Sequence, residues 1–148
     1  LAVEALVARR CRVILVLDAG ADPGQTYDDL SQLVRLLRVD HGISVVWKQT
    51  PRPRSPVSIG ALRGPTGELI GHMVHVKPMR LSGMPTDVHQ YAMTNPRFPQ
   101  QTTADQFFDE KQFEAYCTLG EQLAEVALRA IGGTDGLWAE WLEGGDRS

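Results

Sequence analysis

Residues 1–7 place Leu1, Val3, Leu6 and Val7 on one side of a helical turn. This spacing predicts a helix that ends at Arg9 and Arg10, where positive charge suits a helix C-terminus. Residues 11–17 then run apolar and largely β-branched, with Val13–Leu17 unbroken by any polar position. A strand without polar alternation is expected to be buried on both faces, as in a parallel sheet. Residues 18–25 read as a turn. Thr26 and Asp29 carry the spacing of a capping-box variant, which starts a second helix at Thr26. Leu30, Leu33, Val34 and Leu37 form its apolar face and Gly42 ends it. "ISVVW", residues 43–47, is the next strand. Helix, strand, helix, strand is the order of an α/β sheet.

The pattern then changes. "TPRPRSP", residues 50–56, is a linker-like turn. "VSIGALR" and "ELIGHMVHVK" flank "GPTG" at residues 64–67 and predict an antiparallel hairpin. Val74 and Val76 fall on one face of it, and His75 and Lys77 on the other. Residues 78–101 are rich in Pro, Met and polar side chains, with one short helix expected after a Thr86 cap. A segment of that length between regular elements is often functional. A long helix is expected over residues 109–131. Its proposed buried stripe is Phe113, Tyr116, Cys117, Leu123, Val126 and Ala127, and Gly132 and Gly133 stop it. Trp138 and Trp141 stand in the polar tail.

The 148 residues suffice for one core, and 43% hydrophobic with 22% charged is ordinary for a globular domain. A net charge of −3 and no basic block argue against nucleic acid as a partner. No apolar run reaches the ~20 residues of a membrane helix, and no signal peptide is visible. Cys11 and Cys117, the two cysteines, lack metal-ligand spacing and read as reduced, buried thiols. The first helix lacks both a capping residue and an initiating Met. It reads as already under way, so the chain is expected to be a piece of a longer protein.

Three patches could carry chemistry. Asp18 ends an apolar strand, which is where open α/β sheets place ligands. With Asp22, Asp28 and Asp29 it could offer carboxylates to a hard cation. The competing reading is structural throughout. Asp18-Ala19-Gly20 leads an Asx turn, Asp22-Pro23-Gly24 is a turn triplet, and Asp28 and Asp29 complement a helix dipole. His72 and His75 point to opposite faces of one strand and cannot share a metal. His41 suits a helix C-terminus, and His89 lies in the polar segment. "TTADQFFDE", residues 102–110, has Thr103 and Gln106 at capping-box spacing and acids at a helix start, with Asp105 between. The chain holds no G-x-S-x-G elbow, phosphate loop or dinucleotide fingerprint. No cofactor and no metal is expected.

Longer strings are more specific. "RRCRVILVLDAGADPGQTYDDLSQLVRLLRVDHGI" (residues 9–43), "HVKPMRLSGMPTDVHQYAMTNPRFPQQTTADQFFDE" (75–110) and "QFEAYCTLGE" (112–121) resemble the C-terminal portion of bacterial patatin-like phospholipases. The resemblance spans roughly residues 1–121. It implies part of a three-layer α/β sheet with flanking helices, to which the antiparallel hairpin is added. It also implies lipid acyl hydrolysis by a Ser in G-x-S-x-G and an Asp in D-G-G or D-G-A. Both dyad members would precede Leu1. Asp18-Ala19-Gly20 echoes D-G-A but lacks Gly at the second position and follows a further helix and strand. The catalytic role is therefore not carried to it, and no catalytic residue is expected in this chain. Asp18, Asp22 and Asp105 become candidates for the rim of a site. The lipid or ester substrate would be bound through the upstream part, in the cytoplasm or at the cytoplasmic face of a membrane. The alternative is a non-catalytic binding or regulatory module on the same fold.

Overall fold

The computed structural model describes residues 2–51, 55–102, 104 and 107–133. Trp138, Trp141, Thr103, Asp105 and Gln106 lie outside them. The elements are α1 (Ala2–Ala8), β1 (Val13–Leu17), α2 (Asp28–His41), β2 (Ser44–Gln49), β3 (Val57–Arg63), β4 (Leu69–Val76), α3 (Thr86–Thr94) and α4 (Glu110–Gly133).

The strands form one four-stranded mixed sheet in the order β1-β4-β3-β2. β3 and β4 are the expected hairpin, antiparallel, with Val57 opposite Val76 and Ser58 opposite His75. β1 lies parallel to β4, with Leu17 opposite Val76. β2 runs antiparallel to β3. The hairpin thus separates β1 from β2, although α2 joins those two strands in sequence. Gly71 permits the β1–β4 junction, because a Cβ there would stand 2.7 Å from the Arg12 carbonyl oxygen.

Two cores flank the sheet. Leu30 and Leu37 of α2 and Val3 of α1 pack on Ile14, Leu62 and Met73. On the opposite face, Val88, Ala92 and Phe98 join Ala115, Leu119, Leu123 and Ala127 of α4 over Val57, Ile59, Val74 and Val76. This gives helices on both faces of a mixed sheet. Gly42 ends α2 in the left-handed region at φ 67°, its N–H donating to the Leu37 carbonyl.

Several expectations require correction. Among the described residues β1 is an edge strand covered on one face only. Ile14 is fully buried, whereas Val13, Leu15 and Leu17 are 41%, 54% and 72% exposed. Residue pattern alone cannot separate a strand buried twice from one whose second face lacks a partner. α2 begins at Asp28 rather than Thr26, because Tyr27 is left-handed at φ 56° and cannot join the helix. Thr86 is the first residue of α3, and its N-cap is Pro85. α4 buries Ala115, Leu119, Leu123, Ala127 and Ile131, while Phe113 and Cys117 face outward.

Candidate functional site

Asp18 is the first residue past β1, and its N–H still donates to the Val76 carbonyl at 2.9 Å. The parallel register therefore brings the end of β1 beside residues 75–77 of β4. On the α2 face, His75 and Lys77 both turn toward Asp18. His75 Nε2 lies 3.1 Å and Lys77 Nζ 3.0 Å from Asp18 Oδ2. Asp18 Oδ1 accepts the Gly20 N–H at 3.1 Å, the expected Asx turn. Lys77 Nζ also donates to the Gly20 carbonyl at 2.7 Å. His75 and Lys77 are only 2% and 3% exposed.

The electrostatics follow from burial and pairing. Burial alone would raise the Asp18 pKa. Hydrogen bonds from Lys77 and His75, the Lys77 charge and the Gly20 N–H outweigh it and hold the carboxyl below its ordinary range. Burial pushes the His75 pKa down, and the Asp18 carboxylate offsets this only in part. His75 is therefore neutral at neutral pH, and its bond to Asp18 calls for the Nε2–H tautomer. The edge of the Tyr27 ring lies against His75, with centroids 6.1 Å apart.

Asp22 organises the second half of the same loop. Its Oδ1 accepts the Thr26 N–H at 3.0 Å and its Oδ2 the Tyr27 N–H at 2.9 Å. These bonds fix the two residues that lead into α2, whose N-cap position is Tyr27 and carries no side-chain cap bond, so Thr26 does not cap the helix. The Asp22 N–H donates to Gln100 Oε1 at 2.7 Å, and Gln100 Nε2 to the Pro78 carbonyl at 2.6 Å. Gln100 thus ties the loop after β1 to the exit of β4. Arg80 fastens the segment that carries Gln100, donating to the carbonyls of Phe98, Ala92 and Pro96 at 2.9, 3.0 and 3.0 Å.

The structure brings Asp18 and Asp22 onto one rim at the C-terminal ends of the parallel strands. Asp105 lies outside the described residues. His41 lies at the end of α2 with Nε2 3.4 Å from Glu4 Oε1, and His72 points away from His75, toward the α4 face. Among the described residues no group of three or more His, Cys, Asp or Glu is arranged to hold a metal. Gln100 and Arg80 escape a sequence reading, which places His75 and Lys77 on one face of the hairpin without naming their partner. A signal existed for that partner: a His and a Lys alternating at the end of an apolar strand need a buried carboxylate.

Ser58 lies directly opposite His75 across the sheet, and His75 in turn reaches the Asp18 carboxylate. This arrangement does not make a nucleophile. Ser58 is 1% exposed, and its Oγ has no hydrogen-bond partner among the described residues. A nucleophilic serine requires a base within hydrogen-bond reach and access to substrate. Both Asp18 oxygens are already engaged by donors, so the cluster is a lock on the turn. Next to it, Ala19, Pro78, Pro99, Phe108, Phe113 and Tyr116 line an apolar cleft of ≈ 390 Å³.

No protein-family model matches the chain, and neither does any curated protein or solved structure. No helix among the described residues is long and apolar enough to cross a membrane.

Proposed function

We propose that this chain is the C-terminal part of a patatin-like lipid acyl hydrolase whose Ser–Asp dyad lies upstream of Leu1. The observation that carries the reading is the state of Asp18. It stands where an α/β enzyme presents chemistry, yet Lys77, His75 and the Gly20 N–H occupy its carboxylate. A rim built this rigidly serves a site whose reacting groups come from neighbouring strands. The ordered strings of residues 9–43, 75–110 and 112–121, which resemble that family, support the choice of it. In the whole enzyme, the Asp would activate the Ser for attack on an ester carbonyl. Backbone N–H groups would stabilise the resulting oxyanion. The present residues would hold the sheet and the site rim.

The test is the gene-length protein. Its upstream sequence is expected to contain G-x-S-x-G followed by D-G-G or D-G-A. The protein is expected to hydrolyse p-nitrophenyl esters and phospholipid, with loss of turnover after a serine-directed phosphonate. An upstream sequence without the two motifs, or a folded protein inert toward all these esters, rejects the reading.

A further inference from the structure

A larger cleft opens on the same rim. Its walls come from the loop after β1 at Pro23, from Pro56 just before β3, from the exit of β4 at residues 79–82 and from the turn at residues 96–100. β1 and β4 run parallel, and the Lys77 N–H donates to the Pro56 carbonyl at 2.8 Å. The start of β3 therefore meets the carboxyl ends of β1 and β4, the end at which open α/β sheets bind ligands. The cleft measures ≈ 850 Å³, within the range of pockets that hold small organic molecules. Most of its wall comes from the Pro-rich segment 78–101.

The sign of its charge is opposite to that of the chain. The chain carries a net charge of −3. The cleft is lined by Arg80 and Arg97, and by no acidic side chain among the described residues. Main-chain carbonyls hold Arg80 in place. Its Nε donates to Phe98, and its Nη2 to Ala92 and Pro96. Neutral acceptors fix the guanidinium without cancelling its charge, as a carboxylate would. Arg80 Nη1 and the whole Arg97 guanidinium have no partner among the described residues. Arg97 stands on a turn closed by the Phe98 N–H, which donates to the Asn95 carbonyl at 2.9 Å. Ser82 adds a hydroxyl from a third position.

Below these donors the floor is apolar. Met79 and Phe98 line it and are 4% and 2% exposed. A donor already fixed by the fold loses little freedom when a ligand arrives. Phosphate spreads its charge over several tetrahedral oxygens and can accept from guanidinium groups on different walls, whereas a planar carboxylate suits a single fork. The apolar floor calls for an organic body on that phosphate.

We propose that this cleft binds an organic phosphate ester, with the phosphate between Arg80 Nη1, Arg97 and Ser82 and the apolar body on Met79 and Phe98. A soluble ester and a phospholipid headgroup share this chemistry. The phospholipid case rests on the hydrolase reading; the binding site itself does not.

The experiment is calorimetric titration of the gene-length protein with phenyl phosphate, inorganic phosphate, phenol and dihexanoyl phosphatidic acid below its micellar concentration. Esterase turnover is measured on the same preparation. Phenyl phosphate is expected to bind more tightly than inorganic phosphate, phenol not to bind, and affinity to fall with added salt. Arg97→Gln removes an exposed side chain that makes no hydrogen bond in the fold. It is expected to weaken phenyl phosphate binding at least about tenfold at an unchanged melting temperature. Arg80→Lys, which keeps the charge and loses the fork, is expected to weaken it as well, and Arg97→Gln decides the matter where Arg80→Lys fails to fold. A short-chain lipid that binds more tightly than phenyl phosphate and loses affinity in Arg97→Gln supports the site with a phospholipid as its source. The reverse order supports it with a soluble ester. Equal affinity for phenyl phosphate in wild type and Arg97→Gln overturns the proposal, as does inorganic phosphate binding as tightly as phenyl phosphate. Phosphate-ester binding without esterase turnover rejects the hydrolase and keeps the cleft. Turnover by a protein that binds no phosphate ester does the reverse.

Discussion

Lys77 Nζ stands 3.0 Å from Asp18 Oδ2, with the lysine almost wholly buried and the aspartate partly open to solvent. The pair joins the end of β1 to the end of β4. Removing one partner of a buried ion pair strands the other charge, which costs about 3–5 kcal/mol. Asp18→Asn is therefore expected to lower unfolding free energy by that order in urea titrations. Lys77→Met is expected to cost less, because the charge leaves with the side chain and water still reaches Asp18. A loss of about 1 kcal/mol or less for Asp18→Asn, the level of an exposed pair, would remove the lock from this account. In the gene-length enzyme, a folded Asp18→Asn protein whose turnover falls by more than about 10²-fold would assign Asp18 to the chemistry.

The same cluster sets a pH dependence. The His75 pKa is lowered from 6.5 in the folded chain, so the unfolded chain binds the proton first as pH falls. That contribution to stability is complete above pH 6.5 and is lost as pH drops toward the folded pKa. The Asp18 pKa is lowered from 3.8, so its contribution is complete above that value and is lost as pH falls through the folded pKa. Unfolding free energy is expected to fall in two stages, and His75→Gln is expected to flatten the upper one. An unchanged profile between pH 7 and 5 in His75→Gln (roughly the range in which histidine titrates) would acquit His75.

Two glycines should respond in opposite directions. A Cβ at Gly71 would meet the Arg12 carbonyl oxygen at 2.7 Å, and the backbone on both sides is held in the β1–β4 ladder. Gly71→Ala is expected to destabilise by about 1–3 kcal/mol, the cost of overpacking. Gly120 lies inside α4 with open space around its Cα. Gly120→Ala is expected to stabilise by up to about 1 kcal/mol through helix propensity. Thermal melts of both variants test the pair, and equal effects of the same sign would contradict the packing at Gly71.

The 148 residues produced alone are expected to show no phosphonate-sensitive esterase activity and to bind ANS. Val13, Leu15 and Leu17 are the exposed patch responsible, and each large apolar side chain left uncovered forgoes up to about 1.5–3 kcal/mol. Leu15→Thr with Leu17→Thr is expected to cut ANS fluorescence and self-association on size-exclusion chromatography. A monodisperse wild-type chain with no ANS signal and a sharp melt would show that the face is covered in solution.

The hairpin is legible in the chain because alternation on either side of Gly-Pro-Thr-Gly and the turn chemistry agree within a few residues. The same holds for α2 and its Gly42 stop, for the long α4, and for Asp18 as leader of an Asx turn. Such features depend on φ/ψ preference and on the period of apolar positions, which neighbouring residues determine. Three others were decided only by tertiary structure. The insertion of the hairpin between β1 and β2 leaves β1 at an edge, and no local pattern records which strand lies beside which. The rotation of α4 that buries Ala115 and exposes Phe113 depends on which of its faces meets the sheet. The partners of Asp18 lie 57 residues away at His75 and farther still at Lys77. A carboxylate's nearest donors depend on parallel register across the sheet, so the sequence could name the acid and its turn but not the lysine that holds it.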